Sequence, residues 1–405
     1  MSSGQAPASV SVAVYGLSTE GYKLASAMAI RGNKVSLIDE SVRMAIALKP
    51  DIARAYPNVS ALREDEPLLD LEPVDTAVSN AAYVFFAPRI RKTGPDSKAD
   101  VSSKLKDAVK SLKKGSSVLY LVPTGIGGNN ENMQLIEHIT GLSVSDGKDV
   151  SYYYMPAGVS GGLGSSETWI GSVKSKQDSM LARMLHDPDI RRRISFLDLS
   201  STELSHAIRV LSHYTGMASV FEVCKKVAPD YAAGGTIQAS YGDIYIDDVA
   251  SGLYDLRAIG SSLDSGEPLM YLVNGSIRGV DRYQKHLIDQ IRLTLRQREL
   301  KASKTRVSLA WTLDRNEMRG DKMDLLSSIE NKIKDHIGDV ERHQYTPAPS
   351  FGGSQSSSKF DMYHSDKTTL VLACSKSDYE RVSSGPKSEE VIIMKANPLC
   401  QSVNA

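Results

Sequence analysis

VSVAVYGLSTEGYKLASAMAIRGNKVSLID, residues Val10 to Asp39, reads as a strand, a tight glycine turn, an amphipathic helix and a second strand closed by an acid. Val10, Val12 and Val14 alternate into a short apolar strand that ends at Gly16. A helix follows from about Glu20, with Leu24, Ala25, Met28 and Ala29 recurring at three-to-four spacing on its inner face. Arg31-Gly32-Asn33 stops it, and Val35, Leu37 and Ile38 form the next strand. Asp39 stands 23 residues beyond Gly16, close to the ~20 expected in the first βαβ unit of a dinucleotide-binding domain.

The chemistry of the turn follows from its residues. Gly16 permits a backbone bend that a side chain would block, and Gly21 lets helix and strand pack closely. A pyrophosphate would rest on the free N–H groups of the helix N-terminus. Asp39 would accept from a ribose 2′-OH, which favours NAD over NADP. Leu17 and Ser18 in the turn, Arg43 beyond the acid and Pro88 at the end of a later strand belong to the same expected cofactor-binding set. The run Gly16-Leu17-Ser18-Thr19-Glu20-Gly21 lacks the middle glycine. Ser18 therefore narrows the phosphate's approach, and Glu20 sets a negative charge beside it. Two readings stand here: NAD binding, or a Rossmann-type domain whose pocket is empty.

A chain of 405 residues has length for two to four domains with sizeable cores. Lys+Arg and Asp+Glu both number 48, so no global field favours nucleic acid or an anionic membrane. No run approaches 18 apolar residues, and MSSGQAPAS lacks a signal-peptide core; it reads as a short disordered lead-in. Cys224, Cys374 and Cys400 are too few and too scattered for a disulfide frame or a zinc site. The expectation is a cytoplasmic protein with no metal.

Beyond Asp39 the spacing predicts a helix over Val42 to Ala55, a buried strand over Ala81 to Ala87, a helix over Lys104 to Lys113 and a strand over Ser117 to Val122. Helix Asn132 to Thr140 and strands Val150 to Met155 and Trp169 to Val173 follow. Strands alternating with helices imply a doubly wound parallel sheet of the Rossmann type. From Thr202 a long helix runs to about Val227, with further helices over Tyr254 to Ile259 and Arg282 to Leu300. Strands at Arg306 to Trp311, Thr368 to Ala373 and Val391 to Met394, with helices Lys322 to Ile337 and Asp378 to Val382, make a smaller C-terminal α/β domain. The expected division is a lead-in at 1–9, a dinucleotide domain at 10–197, a central helical dimerisation region at 198–301 and a last domain at 302–405. Residues 346–358, TPAPSFGGSQSSS, read as a mobile loop.

The chain as a whole resembles the UDP-glucose/GDP-mannose dehydrogenase family. The matches run in order over some 380 residues: the opening glycine turn, Leu121-Val122-Pro123-Thr124-Gly125 for the family's V-P-P-G loop, Ser308-Leu309-Ala310-Trp311 with Glu317-Met318-Arg319 for its G-L-A-F…D-x-R segment, and the stretch from Thr369 to Tyr379. The resemblance implies an NAD domain, a long central helix with a homodimer through the central helices, and a nucleotide-sugar domain. Arg319 keeps the position of the arginine that reaches the cofactor.

The chemistry that the resemblance implies is a four-electron oxidation of a primary alcohol through a cysteine thiohemiacetal, aided by a lysine, an asparagine and a glutamate. This sequence departs at each point. Ile244 stands where the cysteine belongs, Pro156-Ala157 replaces the P-E segment, and Arg209 and His213 replace the lysine and asparagine. Arginine is a poor general base. Thr312 and Ala396 stand where the family grips the sugar nucleotide.

His206, Arg209 and His213 fall at i, i+3 and i+7 of the central helix. They form either a replacement catalytic site, with His213 as general base and Arg209 polarising a carbonyl, or a polar face making interdomain hydrogen bonds. Asp243, Asp247 and Asp248 read as a solvated acidic turn rather than a metal site. Arg89 and Arg91 read as a pyrophosphate contact or a basic loop, and Arg191 to Arg193 as a solvated link. Tyr152 to Tyr154 read as strand and cleft wall, and Gly158 to Gly164 as a loop or a second phosphate cradle. Two functions remain: a diverged NAD-binding oxidoreductase performing at most a two-electron step on a CH–OH group of an unidentified small molecule, or a catalytically inactive NAD-sensing or scaffold protein.

Overall fold

The structure, a computed structural model, describes residues 9–65, 69–92, 95–157, 167–186, 193–224, 244–345, 367–385, 390–397 and 402–404. The opening unit is β1 (Ser11–Tyr15), α1 (Thr19–Ile30) and β2 (Lys34–Asp39), with β1 parallel to β2 and register Val12 to Val35. Strand β1 also pairs in parallel with β5 (Tyr83–Phe86), which pairs with β6 (Ser117–Tyr120) and through it with β7 (Ser151–Tyr154). All of β5 and β6 is buried, as expected of strands covered by helices on both faces. The chain order changes direction between β1 and β5, the place where doubly wound sheets open a ligand crevice.

The region expected to be helical from Val42 to Ala55 folds otherwise. Met44–Leu48 is strand β3, antiparallel to β2, and only Pro50–Ala55 (α2) is helical. Met, Ala and Leu are good helix formers, but a tight turn returns the chain along the free edge of β2. Its Ser41 N–H donates to Asp39 Oδ1 at 2.7 Å, and Arg43 adopts φ +57. A short β4 (Leu71–Pro73) extends this edge, with α3 (Val59–Asp65) between, and α4 (Val74–Asn80) leads into β5. Helices α5 (Pro95–Val109) and α6 (Gly128–Thr140) follow β5 and β6. Strand β8 (Glu167–Ser172) runs antiparallel to β7, and after α7 (Ser179–Leu185) β9 (Arg193–Asp198) completes nine strands.

Helix α8 (Leu199–Cys224) leaves this sheet and packs along α11 (Pro268–Gln297), where Phe221 stacks on Tyr283 at 4.4 Å. Helices α9 (Ile246–Ala250) and α10 (Leu253–Gly260) lie between them in sequence. The second sheet has order β11-β10-β12-β13-β14, from β10 (Thr305–Thr312), β11 (Val340–Tyr345), β12 (Thr368–Ala373), β13 (Val391–Lys395) and β14 (Ser402–Asn404), with α12 (Asp321–Lys334) and α13 (Lys376–Ser383). One continuous apolar core joins Val210, Tyr214 and Phe221 of α8 to Leu287 of α11 and to Trp311 and Leu372 of this sheet. The 346–358 segment, Gly158 to Gly164 and Asp243 lie outside the described residues.

Gly16 fixes the crossing of the first sheet. Its φ is +117, and a Cβ there would stand 2.2 Å from the Ala87 carbonyl oxygen. Both the conformation and the close approach exclude a side chain. Gly16→Ala is expected to lower stability in urea unfolding by about 3 kcal/mol. Gly32→Ala, at φ +85 but with nothing within 4 Å, should cost only about 1 kcal/mol.

Candidate functional site at the glycine turn and domain junction

Ser18, in the place of the middle glycine, is fully buried and caps α1. Its hydroxyl accepts from Gly21 N–H at 3.0 Å and donates to the Ala87 carbonyl at 2.6 Å. A Cβ on Gly21 would stand 2.7 Å from the Gly16 oxygen. The glycines and Ser18 thus lock turn, helix and the end of β5 together, with Pro88 buried beside them.

Two of the N–H donors at this turn, those of Leu17 and Thr19, are engaged by the chain itself. Leu17 N–H donates to Glu40 Oε2 at 2.9 Å, and Glu40 Oε1 accepts from Arg89 N–H at 3.0 Å and from Arg89 Nε at 3.1 Å. Thr19 N–H donates to the Asn316 carbonyl at 2.7 Å, and Thr19 Oγ1 to Asp314 Oδ2 at 2.5 Å. Met318 N–H donates to Glu20 Oε2 at 2.7 Å, while Ile90 N–H donates to the Met318 carbonyl at 2.6 Å. Arg91 ties the same loop from below, donating to the carbonyls of Arg315 and Glu317 at 2.7 and 2.8 Å. The segment between β10 and α12 therefore lies on the glycine turn. A small cavity of about 90 Å³, lined by Glu20, Ser251, Glu317, Arg319, Asp321 and Lys322, lies between the start of α1 and this loop, room for a few waters. In this arrangement the Leu17 and Thr19 N–H groups are closed to a pyrophosphate.

Asp39 is fully buried at the end of β2. One carboxylate oxygen accepts from Ser41 N–H and lies 3.4 Å from Arg89 Nη2; the other lies 3.6 Å from Arg63 Nη2 and accepts no hydrogen bond. Arg43 points outward to Asp107 at 3.6 Å. Arg319, also expected at the cofactor, donates to Asp255 Oδ1 at 2.6 Å. Burial, the largest single influence, opposes both charges, but the favourable neighbours together outweigh it: Arg319 and His206 hold Asp255 below, and Asp255, Glu20 and Asp321 hold Arg319 above, its ordinary value.

The three polar residues of α8 have three different partners. His206 Nε2 lies 3.3 Å from Asp255 Oδ2, without hydrogen-bond alignment. The Arg209 guanidinium lies over the Trp169 ring of β8, 3.9 Å from its centroid, a cation–π contact. His213 meets Tyr214 edge-on, and its Nε2 is buried with no hydrogen-bond partner. Burial pushes its pKa below the ordinary value against the pull of Asp248. Asp247 is half-buried, accepting from Trp311 Nε1 at 2.7 Å and pairing with Lys322 at 3.0 Å, while Asp248 is exposed and accepts from Tyr245 N–H at 2.8 Å. Thr312 is bound to Asp378 through N–H and hydroxyl. Cys374 is fully buried, and burial raises its thiol pKa well above the ordinary value; Cys224's side chain and Cys400 lie outside the description.

Sequence reading missed Glu40, Asp314, Asn316 and Asp255. An acid doublet at 39–40 was the available signal for the first; the others act on residues far away in the chain.

This architecture matches solved structures along its whole length. The chain has the fold of the nucleotide-sugar dehydrogenases. It is similar to the UDP-D-ManNAc dehydrogenase of Pyrococcus horikoshii, with TM-score 0.65 and 16% identity, covering 97% of each chain. The UDP-glucose dehydrogenase of Pyrobaculum islandicum gives TM-score 0.63 and 12% identity, covering 96% of this chain and 94% of that one. The UDP-N-acetyl-mannosamine dehydrogenase of Staphylococcus aureus gives 0.59 and 14%, covering 97% and 96%. No family model matches the sequence, and no curated protein does. Among the described residues no helix is long and apolar enough to cross a membrane, and no cluster of three or more His, Cys, Asp or Glu could hold a metal ion.

Asp321 gives this junction a pH dependence. Burial raises its carboxyl from 3.8 to about 6, against the Tyr254 N–H bond and the charges of Arg319 and Arg257. An acid with the higher pKa in the folded state favours folding below its unfolded value and loses that contribution as pH rises through its folded one. Between about pH 4 and 6 the wild type should lose on the order of 3 kcal/mol relative to Asp321→Asn, read as a steeper fall in thermal midpoint with rising pH.

Proposed function

We propose that this protein is a catalytically silent relative, in fold, of the nucleotide-sugar dehydrogenases, acting as a scaffold rather than a sugar oxidase. The observation that carries this reading is the engagement of Leu17 N–H by Glu40 and Thr19 N–H by Asn316. The substitutions implied by the resemblance support it: Ile244, Ala157, Thr312 and Ala396 lack the nucleophile, carboxylate and phosphate-binding groups that such oxidation uses. UDP-glucose with NAD should yield no NADH, and NADH fluorescence should show no saturable binding below ~1 mM. Micromolar NADH binding together with turnover would overturn the reading.

One observation favours a second reading, NAD-dependent two-electron oxidation or reduction of a CH–OH group. Asp39 keeps a buried oxygen without a hydrogen bond, at the place where a ribose hydroxyl would donate. Binding then requires the 314–319 segment to leave α1. Under this reading wild-type NADH binding is present and Glu40→Ala strengthens it, by removing both a competing acceptor and a negative charge.

A homodimer through the central helices belongs to the proposal in either form. Leu204 and Ile208 of α8 and Leu269, Tyr271 and Leu272 of α11 are exposed apolar side chains, Tyr271 at 71%. Such exposure on long helices marks association surfaces. Light scattering should give a dimer for the wild type and a monomer for an Ile208→Glu/Tyr271→Glu double variant; a wild-type monomer rejects this.

A further inference from the structure

A cleft of about 980 Å³ opens on the other flank of the β5–β6 edge, away from the glycine turn. Its walls come from three parts of the chain: α5 and α6, helix α10, and the start of α12 at Gly320, Asp321 and Asp324. This volume is at the upper end of ~300–1,000 Å³ for small-molecule sites. The floor is apolar and partly aromatic, from Val101, Tyr120, Pro123, Leu135 and Tyr254.

The cleft is held open by how α10 is anchored. At one end Ile126 N–H donates to Ser262 Oγ at 2.9 Å. Gly125 admits this approach, because a Cβ there would stand 2.5 Å from the Ala258 carbonyl oxygen. Beside Tyr254 and Arg257, α10 and the residues after it present Ala258, Ser261 and Ser262 to the space, side chains too small to fill it.

Its rim is asymmetric in charge. Arg91, Lys92, Lys98, Lys106 and Arg257 face Glu131, Asp321 and Asp324. Lys98 is neutralised by Glu131 at 2.6 Å and Arg257 by Asp321 at 3.4 Å. Lys92 reaches only 3.9 Å from Asp100, which Lys104 already holds at 2.7 Å. Lys98, Ser102 and Lys106 recur at i, i+4 and i+8 of α5, so one helix face carries two cations and a hydroxyl over the apolar floor.

We propose that this cleft binds a small amphipathic anion, with an aromatic body against Tyr120 and Tyr254 and a single carboxylate, sulfonate or phosphate at the Lys98–Ser102–Lys106 face. Apolar walls with a few convergent polar groups define such a site, and the aromatic rings favour a flat body by offset or edge contact. One negative head group suits the rim: Lys98 is already paired with Glu131, the cations outside this face have carboxylate or carbonyl partners, and Lys106 is left to meet it. The site does not use the glycine turn, so it stands independently of whether a dinucleotide binds there.

The probe is 8-anilinonaphthalene-1-sulfonate, an aromatic monoanion, followed by its fluorescence on the full chain. One saturable site per chain is expected. Lys106→Glu should weaken binding at least ~10-fold, an inverted charge at about 1.4 kcal/mol per tenfold. Ser261→Trp should abolish it by filling the space. Both positions are exposed, so both variants should keep the wild-type melting temperature. The neutral analogue N-phenyl-1-naphthylamine should bind at least ~10-fold more weakly and ignore Lys106→Glu. Unchanged affinity in both variants, equal binding of the neutral analogue, or non-saturating uptake at many sites would each overturn the proposal.

Discussion

The first free N–H of helix α1 faces the C-terminal sheet, and the Asn316 carbonyl accepts from it. Helix N-termini carry unsatisfied donors and a partial positive charge that need an acceptor. In a dinucleotide-binding domain the acceptor is a phosphate; here the Asn316 carbonyl accepts from Thr19 N–H, Asp314 accepts from the Thr19 hydroxyl, and Glu20 in turn accepts from Met318 N–H. Because these bonds join residues from opposite ends of the chain, they also set where the second sheet stands relative to the first. Arg91 reinforces the arrangement by donating to carbonyls of that loop, and Ile90 extends it as a parallel bridge to Arg319.

Buried charge defines the other side of the junction. A pair such as Arg319–Asp255 is weak evidence for stability, since desolvation consumes most of the attraction, yet removing one partner leaves the other uncompensated. The value of the pair lies in geometry: Asp255 belongs to α10, Arg319 to the loop before α12, and His206 to α8. Lys322 likewise joins Asp247 of α9 to Glu317 of the loop, at 3.0 and 3.3 Å. Any opening of the glycine turn would have to move this loop, and the loop is held on both faces. That coupling is the physical content of the scaffold reading.

What could be read from the sequence divides along the range of the interactions. The β1–α1–β2 unit is legible because its periodicity and its stop signals are local, and β12, Thr368–Ala373, is legible because two β-branched threonines lead into the apolar run Leu370 to Ala373. Met44–Leu48 was misread because its composition suits a helix, and pairing with β2 decides otherwise. Val340–Tyr345 was missed because VERHQY is an edge strand with no apolar alternation. At the site, Asp39, Arg319 and His206 were visible as residue types, but their partners Arg89 and Asp255 lie tens of residues away. The helical spacing of His206, Arg209 and His213, at i, i+3 and i+7, suggests a shared task; the structure gives one an aspartate, one a tryptophan ring and one no partner for its Nε2.

The persistence of Gly16 and Gly21 then needs no nucleotide to explain it. A Cβ on either would collide with a backbone oxygen, that of Ala87 or of Gly16 itself, so the crossing of β1, α1 and β5 demands both glycines whether or not a phosphate arrives. The middle position of the motif is different: its glycine serves the ligand's approach rather than the packing. Ser18 there turns its hydroxyl inward, satisfying Gly21 N–H and the Ala87 carbonyl. Packing thus requires the outer glycines, whereas at the middle position the chain accommodates a side chain whose hydroxyl is satisfied from within the turn.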